Sequence, residues 1–133
     1  MVITHITPVP CRVAVCREAL HDGNEWSIYV LNDVPGTIDV IVEQVAFEWG
    51  DFGHSQAPGT RFTVPADSVA RVCRVDGGDA ELSMSLTLRI ATSVENSRVS
   101  FELGKLYSYR DPTLIAALGT AGWLRSADEC RLL

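Results

Sequence analysis

The sequence predicts an all-β protein: an antiparallel sandwich of seven strands, followed by a short C-terminal helix and tail. Three observations carry that expectation. Apolar and polar residues alternate with a period of two in run after run up to residue 103, which is the pattern of a strand with one face on a core. The runs are separated by connections rich in Gly, Pro, Asp and Asn, with no room for a crossover helix between any two. A helical pattern with start and stop signals occurs only past residue 110.

Taken in order, CRVAVCRE (11–18) puts Cys11, Val13 and Val15 on one face, and EWSIYVLN (25–32) does the same with Trp26, Ile28 and Val30. The third run, TIDVIVEQVAFEWG (37–50), changes phase. Ile38, Val40 and Val42 point one way and Val45, Phe47 and Trp49 the other. A one-residue bulge at Glu43 and Gln44 returns both halves to the same core; the alternative is that both faces are covered at one end, for instance by the C-terminal segment.

Residues 50–59, GDFGHSQAPG, follow neither period and read as a loop, with Gly50, Gly53 and Gly59 turning the chain and Pro58 blocking a ladder. TRFTV (60–64) is a short fourth strand ended by Pro65. SVARVCRV (68–75) and ELSMSLTLRI (81–90) are the fifth and sixth, and the VDGGD between them suits a tight turn, so the two read as a hairpin. RVSFEL (98–103) is the seventh, with Val99, Phe101 and Leu103 inward.

The tail differs. In DPTLIAALG (111–119), Asp111 is placed as an N-cap, Pro112 as the first helical residue and Gly119 as the stop. The reading therefore divides the chain into a sandwich at 1–104 and an extension at 105–133. The extension's apolar surface needs cover, either on its own sandwich or on a partner. Tyr107, Tyr109, Leu114, Trp123 and Leu124 are the partner-contact candidates, since large aromatics anchor interfaces.

EWSIYVLND followed by a turn and a long strand, and then FTVPADSVARV, resembles the second, third and fifth strands of immunoglobulin-like and fibronectin type III-like sandwiches, including small uncharacterised bacterial families. The resemblance covers about residues 9 to 103 and is one of fold. It implies seven strands in two sheets and no particular activity. There is no Cys on the second strand to pair with one on the sixth, as antibody domains have, and the tryptophan of the third strand is at its far end.

Composition narrows the function classes. A chain of 133 residues with 47% hydrophobic content is long enough for one domain with a real core. Its net charge of −6 disfavours a nucleic-acid partner. The N-terminus lacks the basic start and long apolar run of a secretory signal, so the chain reads as cytoplasmic. The longest uncharged apolar run, residues 112–124, is too short to cross a bilayer. Cys11, Cys16, Cys73 and Cys130 have none of the close spacings that hold zinc or form redox pairs, and read as buried reduced thiols.

No nucleophile motif, phosphate loop or dinucleotide fingerprint is present. A pair of Cys16 with His21 has nothing in the sequence to orient it. The expected function is a non-enzymatic module for protein–protein contact or self-assembly, a homodimer being one such arrangement, with no cofactor. The alternative uses topology. Three connections, HDGNE, GDFGHSQAPG and VDGGD, emerge at one end of such a sandwich and would gather His21, Asp22, Asn24, Asp51, His54, Asp76 and Asp79. Carboxylates of this kind suit calcium, and added imidazoles suit zinc or manganese. His5 is expected in solvent. A sugar-stacking role for the tryptophans ranks last, because Trp26 and Trp49 lie in core-facing phase.

Overall fold

A computed structural model describes residues 11–18 and 25–132; His5, His21, Asp22 and Asn24 lie outside the described residues. Period-two alternation is clearest over residues 83–91 and 96–105. The strands are β1 (Cys11–Glu18), β2 (Glu25–Asn32), β3 (Ile38–Trp49), β4 (Phe52–Gln56), β5 (Arg61–Val64), β6 (Val69–Val75), β7 (Ser83–Ala91), β8 (Asn96–Lys105), β9 (Thr113–Ile115), β10 (Thr120–Arg125) and β11 (Glu129–Leu132). They form two antiparallel sheets in a sandwich-like arrangement. One has the order β6-β2-β1-β10-β9, the other β11-β8-β7-β3-β4, with β5 also on β3.

Between the sheets lies one core. Val13, Val15, Trp26 and Ile28 enter it from the first sheet; Val40, Leu86, Leu88, Val99 and Phe101 enter it from the second. The phase change in β3 is a bulge: its register against β7 shifts between Val42 and Gln44, so Val42, Val45 and Phe47 are all buried.

Asn32, at the end of β2, is a buried polar link between the sheets. Its Nδ2 donates to the carbonyls of Gly36 (2.7 Å), Val64 (3.0 Å) and Pro65 (3.2 Å), and its Oδ1 accepts from the Val34 amide at 2.9 Å.

Three expectations are corrected. Residues 112–119 are not a helix, and the described residues contain only short 3₁₀ turns besides strands. Asp111 has φ 57°, a left-handed conformation in place of the extended one that an N-cap takes. Gly119, at φ 66°, closes the turn between β9 and β10, where its amide donates to the Ile115 carbonyl at 2.9 Å. Second, β6 and β7 are not a hairpin: they belong to different sheets, and the VDGGD segment carries the chain across through a 3₁₀ turn at Asp79–Glu81. Third, residues 50–59 are not all loop. Phe52–Gln56 is β4, paired with the end of β3. It lacks alternation because all five of its residues are exposed.

The C-terminal segment is woven into both sheets. β10 pairs with β1, setting Val15 opposite Trp123, and β11 pairs with β8. Leu106 is fully buried in the main core. The face of β1 and β2 that alternation leaves for solvent is covered, because Ile115 closes a second small core over Ala14, Cys16 and Leu31. Gly122 makes this possible, since a Cβ there would lie 2.6 Å from the Val15 carbonyl oxygen.

Candidate functional site

The acidic end of the sandwich is partly assembled. His54, on β4, faces Phe47 across the β3–β4 ladder with ring centroids 5.1 Å apart, and its Nε2 lies 2.8 Å from Asp79 Oδ1. Asp76 is occupied locally, its Oδ1 accepting the Asp79 amide at 2.9 Å and so shaping the turn. Asp51 sits in the two-residue turn between β3 and β4. Two of the three connections thus meet through His54 and Asp79, while His21 and Asp22 lie outside the described residues. Among the described residues no three His, Cys, Asp or Glu side chains are grouped for a cation. His54 and Asp79 alone supply two donors, against the four of a typical zinc shell or the six or more of calcium.

Two of the thiols are held in their protonated form. Burial pushes the Cys73 thiol up to about 11, with the Asp79 charge adding to the shift. Burial also raises Cys16, helped by Glu18. Both are therefore weak nucleophiles at neutral pH, since thiolate is the reactive form.

The partner-contact candidates of the tail divide. Tyr107 packs edge-on against Trp26 at 5.9 Å, Trp123 also meets Trp26 at 5.9 Å, and Tyr109 meets Trp123 edge-on at 5.3 Å. Polar atoms tie this cluster down: Tyr109 Oη donates to the Leu103 carbonyl, Trp123 Nε1 to the Arg110 carbonyl, and the Arg125 guanidinium to Tyr109 Oη. Arg17 lies over the rings of Trp26 and Tyr107. These aromatics hold the tail to its own sheet. Leu114 and Leu124 remain exposed.

The largest exposed aromatic surface is elsewhere. Trp49 and Phe52 are direct cross-strand partners at the tip of the β3–β4 hairpin, and they are 66% and 65% exposed. Trp49 is in core phase, as its alternation indicates, but β3 is 12 residues long and its end overhangs the core. Gly50, with φ 59°, makes the reversal between them. Sequence patterning assigned Trp49 inward because phase reports which face a residue occupies, and says nothing of whether an opposing sheet reaches that far. The signal that was available is Gly50, a turn residue directly after an aromatic in core phase.

Comparison with known proteins finds no match: no family model, no curated protein and no solved structure aligns with the chain. What fold and geometry define is an all-β protein of two antiparallel sheets with an aromatic hairpin tip at one sheet edge.

Proposed function

We propose that the protein is a non-enzymatic interaction module of immunoglobulin-like type that pairs with a second copy of itself along β4. The observation that carries this reading is the exposed cross-strand pair of Trp49 and Phe52. A contiguous aromatic patch on a rigid hairpin is the kind of surface that anchors an interface.

The edge beside it supports self-pairing. β6 carries Arg71 and Arg74, β11 carries Glu129 and Arg131, and β9 is only three residues long. β4, Phe-Gly-His-Ser-Gln, carries no Lys, Arg, Asp or Glu. Charged residues on an edge strand oppose pairing with other chains, and β4 lacks that protection. Two copies related by a two-fold axis would continue the second sheet, with the Trp49 and Phe52 of each copy flanking one end of the new seam. Cytoplasmic residence is consistent with thiols held reduced.

Light scattering across a concentration series at physiological salt tests this. The expected result is a monomer–dimer equilibrium that Trp49→Ser combined with Phe52→Ser abolishes, and that Ser55→Lys weakens by placing a charge on the edge. A chain that stays monomeric to near-millimolar concentration, or a dimer indifferent to all three substitutions, overturns the reading.

A further inference from the structure

Self-pairing along β4 has one preferred register, and that register puts a histidine on the symmetry axis. Trp49 and Phe52 flank a two-residue turn, so they form a hydrogen-bonded pair whose backbone groups point at each other. Alternation then turns the backbone groups of Phe52, His54 and Gln56 toward β3 and leaves those of Gly53 and Ser55 directed at the open edge. A two-fold axis across the seam sets one residue of β4 opposite its own copy. Centred on His54, it pairs Gly53 with Ser55 of the second copy and uses all the outward groups of both strands. Centred on Gly53 or on Ser55, it sets the other of these two against Asp51 in the turn or Ala57 past the strand end.

His54 lies on the face of β4 that looks toward the first sheet, because it is opposite the buried Phe47. On the axis it occupies a non-hydrogen-bonded position, where facing Cα atoms stand about 4.5 Å apart and side chains are closest. Two imidazoles therefore meet, and each arrives with a carboxylate. His54 Nε2 is 2.8 Å from Asp79 Oδ1, and both side chains are partly open to solvent. Asp79 is itself positioned by its turn, its amide donating to Asp76 Oδ1. On the other face the seam holds only Gly53 and Ser55, which leave no bulk to keep the strands apart.

We infer that two copies of the chain hold one zinc ion at this seam, through His54 and Asp79 of each; the inference rests on the β4 self-pairing proposed above. One chain offers two donors where a tetrahedral zinc shell takes four, and the axis doubles them. Zinc bonds of about 2.0–2.1 Å set tetrahedral donors about 3.3 Å apart. Nε2 and Oδ1 need to part by only about half an ångström from their 2.8 Å contact to admit the ion in place of the proton between them. Two imidazoles with two carboxylates suit zinc over calcium or magnesium, which take six or more oxygen ligands. The dication also offsets the two carboxylates that pairing brings together, on chains that each carry a net charge of −6.

Light scattering on chelator-stripped, full-length protein, with and without zinc chloride, tests the inference. Zinc at a hundred times its dissociation constant should tighten the dimer about a hundredfold by linkage, while calcium and magnesium leave it unchanged. Calorimetric titration should give one zinc ion per two chains. His54→Ala and Asp79→Asn should each abolish the zinc response, with circular dichroism confirming that both variants are folded. The register is read without metal: under mild oxidation His54→Cys should cross-link two copies, whereas the parent and Phe52→Cys should not, since Phe52 faces Gln56 of the second copy. A metal-free dimer indifferent to zinc, one ion bound per chain, or a zinc response that survives either substitution overturns the zinc site and leaves self-pairing standing. Cross-linking through Phe52→Cys in preference to His54→Cys overturns the register, and a chain that is monomeric with and without zinc overturns the site and the self-pairing together.

Discussion

His54 Nε2 meets Asp79 Oδ1 at 2.8 Å, joining the edge strand of one sheet to the turn that carries the chain between sheets. Both side chains are partly open, at 40% and 30%, so solvent screens the pair and its net worth is at the surface-pair level. A double-mutant cycle with His54→Ala and Asp79→Ala, read by urea denaturation, is expected to give a coupling of about 0.2–1 kcal/mol. A coupling near zero would mean that the contact does not persist in solution.

Asn32 is a more expensive link to break. Its side chain serves three carbonyls and one amide in a buried corner, and it is 7% exposed. Asn32→Leu removes all four bonds and strands their partners away from water. The expected loss is roughly 2–4 kcal/mol, since each buried group left unsatisfied costs on the order of 1–3 kcal/mol and some will reach solvent. Asn32→Asp keeps the acceptor but sets a carboxylate against three carbonyls, and should cost at least as much. Thermal unfolding of both variants provides the check.

Alkaline pH probes Cys73 and Cys16. The folded Cys73 titrates near 11, above its ordinary value of 9.0, so between those limits the native state holds a proton that the unfolded chain has released. Stability is fully present below about pH 9 and falls as pH rises toward 11. The order of magnitude is 1–3 kcal/mol, with Cys16 and Tyr29 contributing in the same direction because their values are also raised. Urea denaturation at pH 8 and 10.5 should show the drop, and Cys73→Ala should remove the largest part of it. An unchanged drop in that variant would place the effect on Tyr29 and Cys16.

Local signals in the chain reached some of this architecture and stopped where non-local register began. The bulge at Glu43 and Gln44 was legible because a shift in a period of two is visible in the residues themselves. Strand β4 was not, since an edge strand exposed on both faces has no reason to alternate. The tail misled because Asp-Pro followed by Gly seven residues later punctuates a helix and a β-turn alike, and the choice was made by Ile115 finding cover on Ala14 and Cys16. Of the acidic-end residues, Asp79 and His54 meet across the turn between the sheets, while Asp76 is consumed in its own turn.

Gly122 decides whether the tail can dock. It is buried on β10, and a Cβ there would meet the Val15 carbonyl oxygen at 2.6 Å, Cys16 Sγ at 2.7 Å and Ile115 Cδ1 at 3.1 Å. Two of those neighbours are side chains that can shift, but the carbonyl belongs to the central strand β1 and is fixed by its own ladder. Gly122→Ala is therefore expected to lower stability by roughly 1–3 kcal/mol, the usual cost of overpacking, and to loosen β10 from β1. Gly119→Ala is the control: its site has open space and only the strain of φ 66°, so it should cost about 1 kcal/mol and leave β10 in place. Adding Cys16→Ala to Gly122→Ala should recover part of the loss by removing the sulfur, while the carbonyl contact keeps the recovery incomplete. Thermal unfolding gives the magnitudes, and protease cleavage within residues 106–128 reports whether the tail has come away. A Gly122→Ala protein as stable and as protease-resistant as the parent would show that β10 does not lie against β1 in solution.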